Sequence, residues 1–145
     1  MKREFDFASR IGNELKRAER YRIFLSLVTF NIGPILDLAG DQALRNEVEK
    51  TRFLDGLHRT VQRSVREVDS LSDSGSVKIG LLLPETPRQG AEAAARRISE
   101  TLHRYCTDYF SQPADYLVPI EISSFPDAAG ARSIASYMED FGSEN

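Results

Sequence analysis

The chain has 145 residues, of which 41% are hydrophobic and 28% charged, enough apolar material for one core and too little length for two, so a single domain over residues 1–145 is expected. Its net charge of −3 argues against a sequence-independent nucleic-acid binder, which needs a net basic surface, and leaves open a small anionic ligand in a local arginine pocket. The longest apolar run, Ile23 to Ile32, is about half of a bilayer-spanning helix and is interrupted by Asn31, Gly33, Pro34 and Asp37, while the charged amino terminus lacks the apolar centre of a secretory signal; a cytoplasmic chain without membrane insertion is expected.

In chain order, Ile11, Leu15 and Ala18, with Phe7 or Ala8 one turn earlier, fall on one helical face, which predicts a first helix over residues 4–20. Ile23 to Ile32 is apolar on both alternating faces and rich in β-formers, as a central strand covered on both sides must be. Gly33-Pro34 breaks it, and Leu44, Val48, Leu54, Leu57, Val61, Val65 and Val68 then repeat at helical steps from Asp41 on. Arg45, Lys50, Arg52, Arg59 and Arg63 punctuate that long helix among Glu47, Glu49 and Asp55, and read as a solvated face. A polar turn from Ser70 to Gly75 leads to a strand over Val77 to Leu83, closed by Pro84. Thr86-Pro87-Arg88-Gln89 reads as a helix start with a capping threonine, and Ala91, Ala94, Ile98, Leu102 and Tyr105 give the third helix its buried face. Tyr116 to Phe125 reads as an edge strand, because Pro119 removes a ladder donor; Ile134, Met138 and Phe141 mark a short terminal helix after a turn at Asp127 to Gly130. One further strand could lie near Ser111 to Tyr116 or at Leu71.

The remaining reactive residue types form no recognisable site. Cys106 has no second cysteine to pair with and no Cys or His at metal-ligand spacing, so it reads as a small helix-face residue. His58 and His103 lie on helices without a nucleophile and an acid in a triad order, and read as surface histidines. Tyr105, Tyr109 and Phe110 read as core at the end of helix three, with a partner-facing patch as the alternative. No phosphate-cradling glycine motif occurs.

Three segments, in order and at fitting distances, carry a resemblance: Arg17-Ala-Glu-Arg-Tyr21 with Leu25-Ser-Leu-Val28, Val65-Arg-Glu-Val-Asp69 followed by Gly75 and Gly80-Leu-Leu-Leu-Pro-Glu-Thr86, and Gly90-Ala-Glu-Ala-Ala-Ala-Arg-Arg-Ile98. The chain resembles the GGDEF domain of diguanylate cyclases, which make cyclic di-GMP from two GTP molecules. The likeness covers most of residues 5–105, and Ile120 to Pro126 is loosely similar to a later strand of the family. It implies an α+β fold, a ferredoxin-like palm with a mixed, largely antiparallel sheet flanked by helices.

The family's chemistry needs Mg²⁺ held by carboxylates. The resemblance sets Asn31 and Gly33 at the aspartates that end the family's first strand, and Gly75-Ser-Val-Lys-Ile79 at its signature hairpin, where Val77 and Lys78 replace the acids. The domain therefore reads as degenerate: not an enzyme, without catalytic residues, metal or cofactor. The resemblance also sets Arg66-Glu-Val-Asp69 at the Arg-x-x-Asp pair five residues before the signature, which binds cyclic di-GMP as an inhibitory site in the family, and Arg97 at a further ligand-binding arginine. A guanidinium fork suits guanine O6 and N7 or phosphate oxygens, and a carboxylate can accept from guanine N1 and N2. Arg66, Asp69 and Arg97 are thus the expected ligand contacts in a non-catalytic cyclic di-GMP effector; the alternative is a ligand-free pseudoenzyme that holds a protein partner or a second copy of itself. Nucleic acid is not an expected partner.

Overall fold

The computed structural model describes residues 6–37, 46–110, 118–126 and 132–141. Helix α1 spans Phe7–Tyr21 and starts where it does because the Asp6 carboxylate accepts from Ser9 N–H at 2.8 Å, a cap the apolar pattern alone places too early. It stops at Arg22, which sits in the left-handed region at φ 56° with its N–H on the Ala18 carbonyl. Strand β1, Leu25–Asn31, follows as the expected central strand: it pairs antiparallel with β3, Lys78–Pro84, on one side and with β4, Ile120–Phe125, on the other. The two-residue β2, Ser70–Leu71, extends the sheet beyond β3, so the order is β2-β3-β1-β4 and every pairing among the described strands is antiparallel. β2 is the extra strand expected at Leu71; the other candidate stretch lies outside the described residues. β4 stands at the sheet edge, as expected, but begins only after Pro119, whose carbonyl takes the Asn31 N–H at 3.0 Å.

The alternation of β1 decides which helices cover which face. Leu25 and Leu27, with Leu82 of β3, pack under α1 and the terminal segment, a 3₁₀ turn at Ile134–Tyr137 running into the short α4 at Met138–Phe141. Val28, Phe30 and Ile32, with Ile79, Leu81 and Leu83, pack under α2, Glu47–Gln62, and α3, Arg88–Phe110. Both faces of β1 and β3 are buried, which is why these strands lack polar alternation. The architecture is α+β.

The second helix is shorter than its pattern. Asn46 caps its start through a 2.9 Å bond from Glu49 N–H, and it ends at Gln62, so Val65 and Val68 do not belong to it; Leu44 lies outside the described residues. The end is built from local competition: Ser64 N–H turns to the Val61 carbonyl, and the Asp69 carboxylate takes the Arg66 N–H at 2.8 Å. Val65 still packs on the core, whereas Val68 is exposed. Thr86 does not cap α3 as expected; its hydroxyl donates to the Pro84 carbonyl, and the Pro87 carbonyl begins the helix by accepting from Ala91.

At the far end of the helical layer Phe53 meets Tyr105, Tyr109 and Phe110 at ring distances of 5.0 to 5.5 Å. Tyr105 donates its hydroxyl to the Phe53 carbonyl, and burial pushes its pKa up to about 12. Burial likewise pushes the Cys106 thiol up to about 11, in keeping with an inert packing residue. Among the described residues no helix is long and apolar enough to cross a membrane.

Candidate functional site

The chain between α2 and β2 folds into a turn in which Asp69 N–H donates to the Arg66 carbonyl at 3.1 Å. The Asp69 carboxylate accepts from three donors of Arg66: its backbone N–H at 2.8 Å, Nε at 3.3 Å and Nη2 at 2.9 Å. Arg66 and Asp69 therefore meet in a turn and not on a shared helical face. Arg66 Nη2 also reaches the Pro84 carbonyl at 3.3 Å and Thr86 Oγ1 at 2.9 Å, tying the turn to the β3–α3 junction. The hydrogen bond to Asp69 raises the arginine's already high pKa, against the opposing effect of its partial burial.

The two side chains are unequal. The Asp69 side chain is 2% exposed and that of Arg66 55% exposed, so the carboxylate is the buried anchor and the guanidinium faces solvent. With Nη2 and Nε engaged, Nη1 is the edge of Arg66 left to meet an incoming acceptor. Asp69 orients that edge; to accept from a ligand itself it would have to give up Arg66.

This edge borders an open pocket of about 540 Å³ between α1, the turn and the end of β3, walled by Arg10, Glu14 and Arg17 of α1 and by Glu85. Arg17 bridges Glu14 at 3.5 Å and Glu85 at 3.0 Å, and Glu85 holds a left-handed φ of 53°. Arg10 and Arg17 are site residues that periodicity sets merely on the polar side of α1; their common step of seven was the available signal, but the face they address is chosen by the packing of α1 on the sheet. Arg97 does not line this pocket. It reaches from α3 to the Ser64 carbonyl at 3.4 Å, two residues before Arg66.

The hairpin between β2 and β3 is held from both sides. His58 Nε2 contacts the Ser72 carbonyl at 2.6 Å, a positioning role for a histidine expected only at the surface, and Ser72 exchanges bonds with Gly80 through its N–H and its hydroxyl. Ser74 donates to Asp55 on α2, and Gly75 adopts φ 95°, a conformation that requires glycine. Lys78 pairs with Asp140 of α4 at 3.2 Å, and Arg132 reaches the same carboxylate at 3.3 Å. Asn31 turns its Oδ1 back to the Gly33 N–H at 2.9 Å. Among the described residues no group of three or more His, Cys, Asp and Glu side chains could hold a metal ion.

No family model and no curated protein matches the sequence. Solved structures do match. The active GGEEF domain of a diguanylate cyclase from Vibrio cholerae superposes with a TM-score of 0.67 at 21% identity, over 86% of this chain and 75% of that one. The fold is that of a GGDEF domain. A sensory box/GGDEF family protein from Caulobacter crescentus gives a TM-score of 0.60 at 16% identity, over 94% of this chain and 87% of that one. The diguanylate cyclase SiaD of Pseudomonas aeruginosa, solved in complex with its activator SiaC, gives 0.59 at 19% identity, over 81% of this chain and 43% of that one. The GGDEF fold accounts for the α+β architecture expected from the sequence, and within it the Arg66–Asp69 turn stands directly before the β2–β3 hairpin.

Proposed function

We propose that this chain is a non-catalytic effector domain that binds cyclic di-GMP, with Arg66 as the principal contact, Asp69 as the group that presents it, and Arg97 adding charge from α3. The observation that carries the reading is the Arg66 guanidinium itself, fixed on one edge by a buried carboxylate and open on the other to a pocket that also bears Arg10 and Arg17. A preoriented guanidinium loses little entropy on meeting guanine O6 and N7 or a phosphate. Calorimetric titration tests it. Arg66→Ala is expected to weaken binding roughly tenfold to a hundredfold, the worth of a charge-assisted contact. Arg59→Ala is expected to leave it unchanged. The reading is overturned if folded wild-type protein gives no heat at high micromolar ligand, or if both variants weaken binding equally.

The side chains at the signature positions support the non-catalytic part. Mg²⁺ wants carboxylate oxygens, but position 31 offers an amide already bonded to Gly33, position 77 a valine, and position 78 an ammonium paired with Asp140. A side chain at position 33 would also crowd Asn31, since a Cβ there lies 3.0 Å from Asn31 Oδ1. Purified protein given Mg²⁺ and GTP is expected to form no cyclic di-GMP by chromatography, and acids restored at 31, 33, 77 and 78 are expected not to rescue it. Sustained, protein-dependent turnover by the wild type would show a cyclase after all.

A second reading, a ligand-free interaction module, is favoured by the self-sufficiency of the turn: Arg66 already has Asp69, Pro84 and Thr86 as partners. SiaD, with the same fold, is a protein that takes an activator protein. The titration separates the two readings.

A further inference from the structure

The open edge of Arg66 meets only half of a guanine base. Nη1 suits O6, but the base also presents its N1–H and N2 amino donors, and the Asp69 carboxylate, 2% exposed and held by three donors of Arg66, is closed to them. Guanine recognition therefore calls for a second acceptor on the pocket wall. The walls set Glu14, Glu67 and Glu85 against Arg10, Arg17 and Arg66, an even balance of charge. Acids on the wall repel the phosphates of a cyclic dinucleotide, so a pocket that took it by phosphate alone would be better without them. They gain a use where one of them accepts from the donors of a base.

Glu85 is the acid placed to do so. It follows Pro84, whose carbonyl accepts from Arg66 Nη2 at 3.3 Å, and precedes Thr86, whose hydroxyl accepts from the same Nη2 at 2.9 Å, so Arg66 clamps the chain on both sides of it. Between these two bonds Glu85 holds φ 53°, a region that suits glycine or asparagine better than glutamate. The turn by itself favours another residue, which points to a use for the side chain. Its carboxylate, 59% exposed, takes Arg17 Nη2 on Oε2 at 3.0 Å and leaves Oε1 open. It also stands near Arg66, whose pKa its charge raises after the larger effect of the hydrogen bond to Asp69. Glu14 is more enclosed, at 25% exposure, and among the described residues Glu67 has no ion pair to fix its carboxylate.

We propose that Glu85 is the residue by which this pocket selects guanine, its carboxylate accepting from N1–H and the N2 amino group of the base whose O6 meets Arg66. The assignment rests on the cyclic di-GMP reading and adds to it the determinant of which base is taken. Arg17, bound to Oε2, positions the carboxylate. Adenine reverses the polarity at both contacts: it sets an amino donor against Arg66 and the N1 lone pair against Glu85.

Calorimetric titration of the full chain with cyclic di-GMP, with cyclic di-IMP, which lacks only the N2 amino groups, and with cyclic di-AMP tests the assignment. Wild type is expected to bind cyclic di-GMP about tenfold more tightly than cyclic di-IMP, the worth of one hydrogen bond to a charged group, and cyclic di-AMP more weakly still. Glu85→Ala is expected to lose about tenfold for cyclic di-GMP and to bind cyclic di-GMP and cyclic di-IMP alike, since the amino group and the carboxylate share one contact. Glu85→Gly, which relieves the left-handed backbone and is expected to melt no lower than wild type, should lose the same preference, so that a folding defect cannot imitate the result. A preference for cyclic di-GMP retained in both variants, tighter binding of cyclic di-GMP once the carboxylate is gone, or a wild type that takes cyclic di-IMP or cyclic di-AMP as well as cyclic di-GMP would overturn the role of Glu85 and leave Arg66 as a ligand contact. A folded wild type that binds none of the three removes the Arg66 reading and Glu85 with it.

Discussion

Deleting residues 131–145 is expected to lower the melting temperature by about 10 °C. Ile134 and Tyr137 are 1% and 3% exposed, and Met138 and Phe141 pack beside them on Ile11, Leu25, Leu27 and Leu82. Removing two fully buried side chains forfeits roughly 3 to 6 kcal/mol of apolar burial, and a domain of this size shifts by about 2 to 4 °C per kcal/mol. The ion pairs of Lys78 and Arg132 with Asp140 add little, being partly solvated. Circular dichroism melting of the truncated chain checks this; a curve superimposable on the full chain's would mean that the terminal segment holds nothing in place.

Gly80→Val is expected to destabilise by about 3 kcal/mol, although valine suits a strand better than glycine does. Gly80 faces Thr29 across the ladder, and a Cβ added there would come within 2.6 Å of the Phe7 ring and 2.7 Å of the Phe141 ring. Those rings already pack edge-to-face at 4.8 Å, so neither can yield without losing the other. Denaturant unfolding of the full chain gives the sign: stabilisation would show that strand propensity outweighs the overlap. In the truncated chain, where Phe141 is gone, the cost should fall, because the two changes share one contact.

Much of this was legible from the sequence because it is local. The run Leu25 to Phe30, apolar but for Ser26 and Thr29, reads as a strand buried on both faces, the edge position read from Pro119 is the one β4 takes, and Ile98 and Leu102 read as a core-facing stripe. The Gly75 turn and the Arg-x-x-Asp spacing were likewise readable, since each depends on neighbours within a few residues. What failed was also physical. The pattern of α2 continues to Val68, but hydrogen bonds to Asp69 and Val61 end the helix at Gln62, and side-chain competition for backbone donors leaves no periodic trace. Asp6 and Asn46 were missed as caps for the same reason.

Only the tertiary structure could bring Arg10 and Arg17 to Arg66, place Arg97 on Ser64 outside that pocket, tie His58 to Ser72, and set Lys78 on Asp140. These pairs lie far apart along the chain, and a charged residue's partner depends on which face its element turns inward and what the sheet carries opposite it. Sequence fixes the face through hydrophobic period; it has no period for the partner, which is set when α1, α2, α3 and the terminal segment pack on the two sides of β1 and β3.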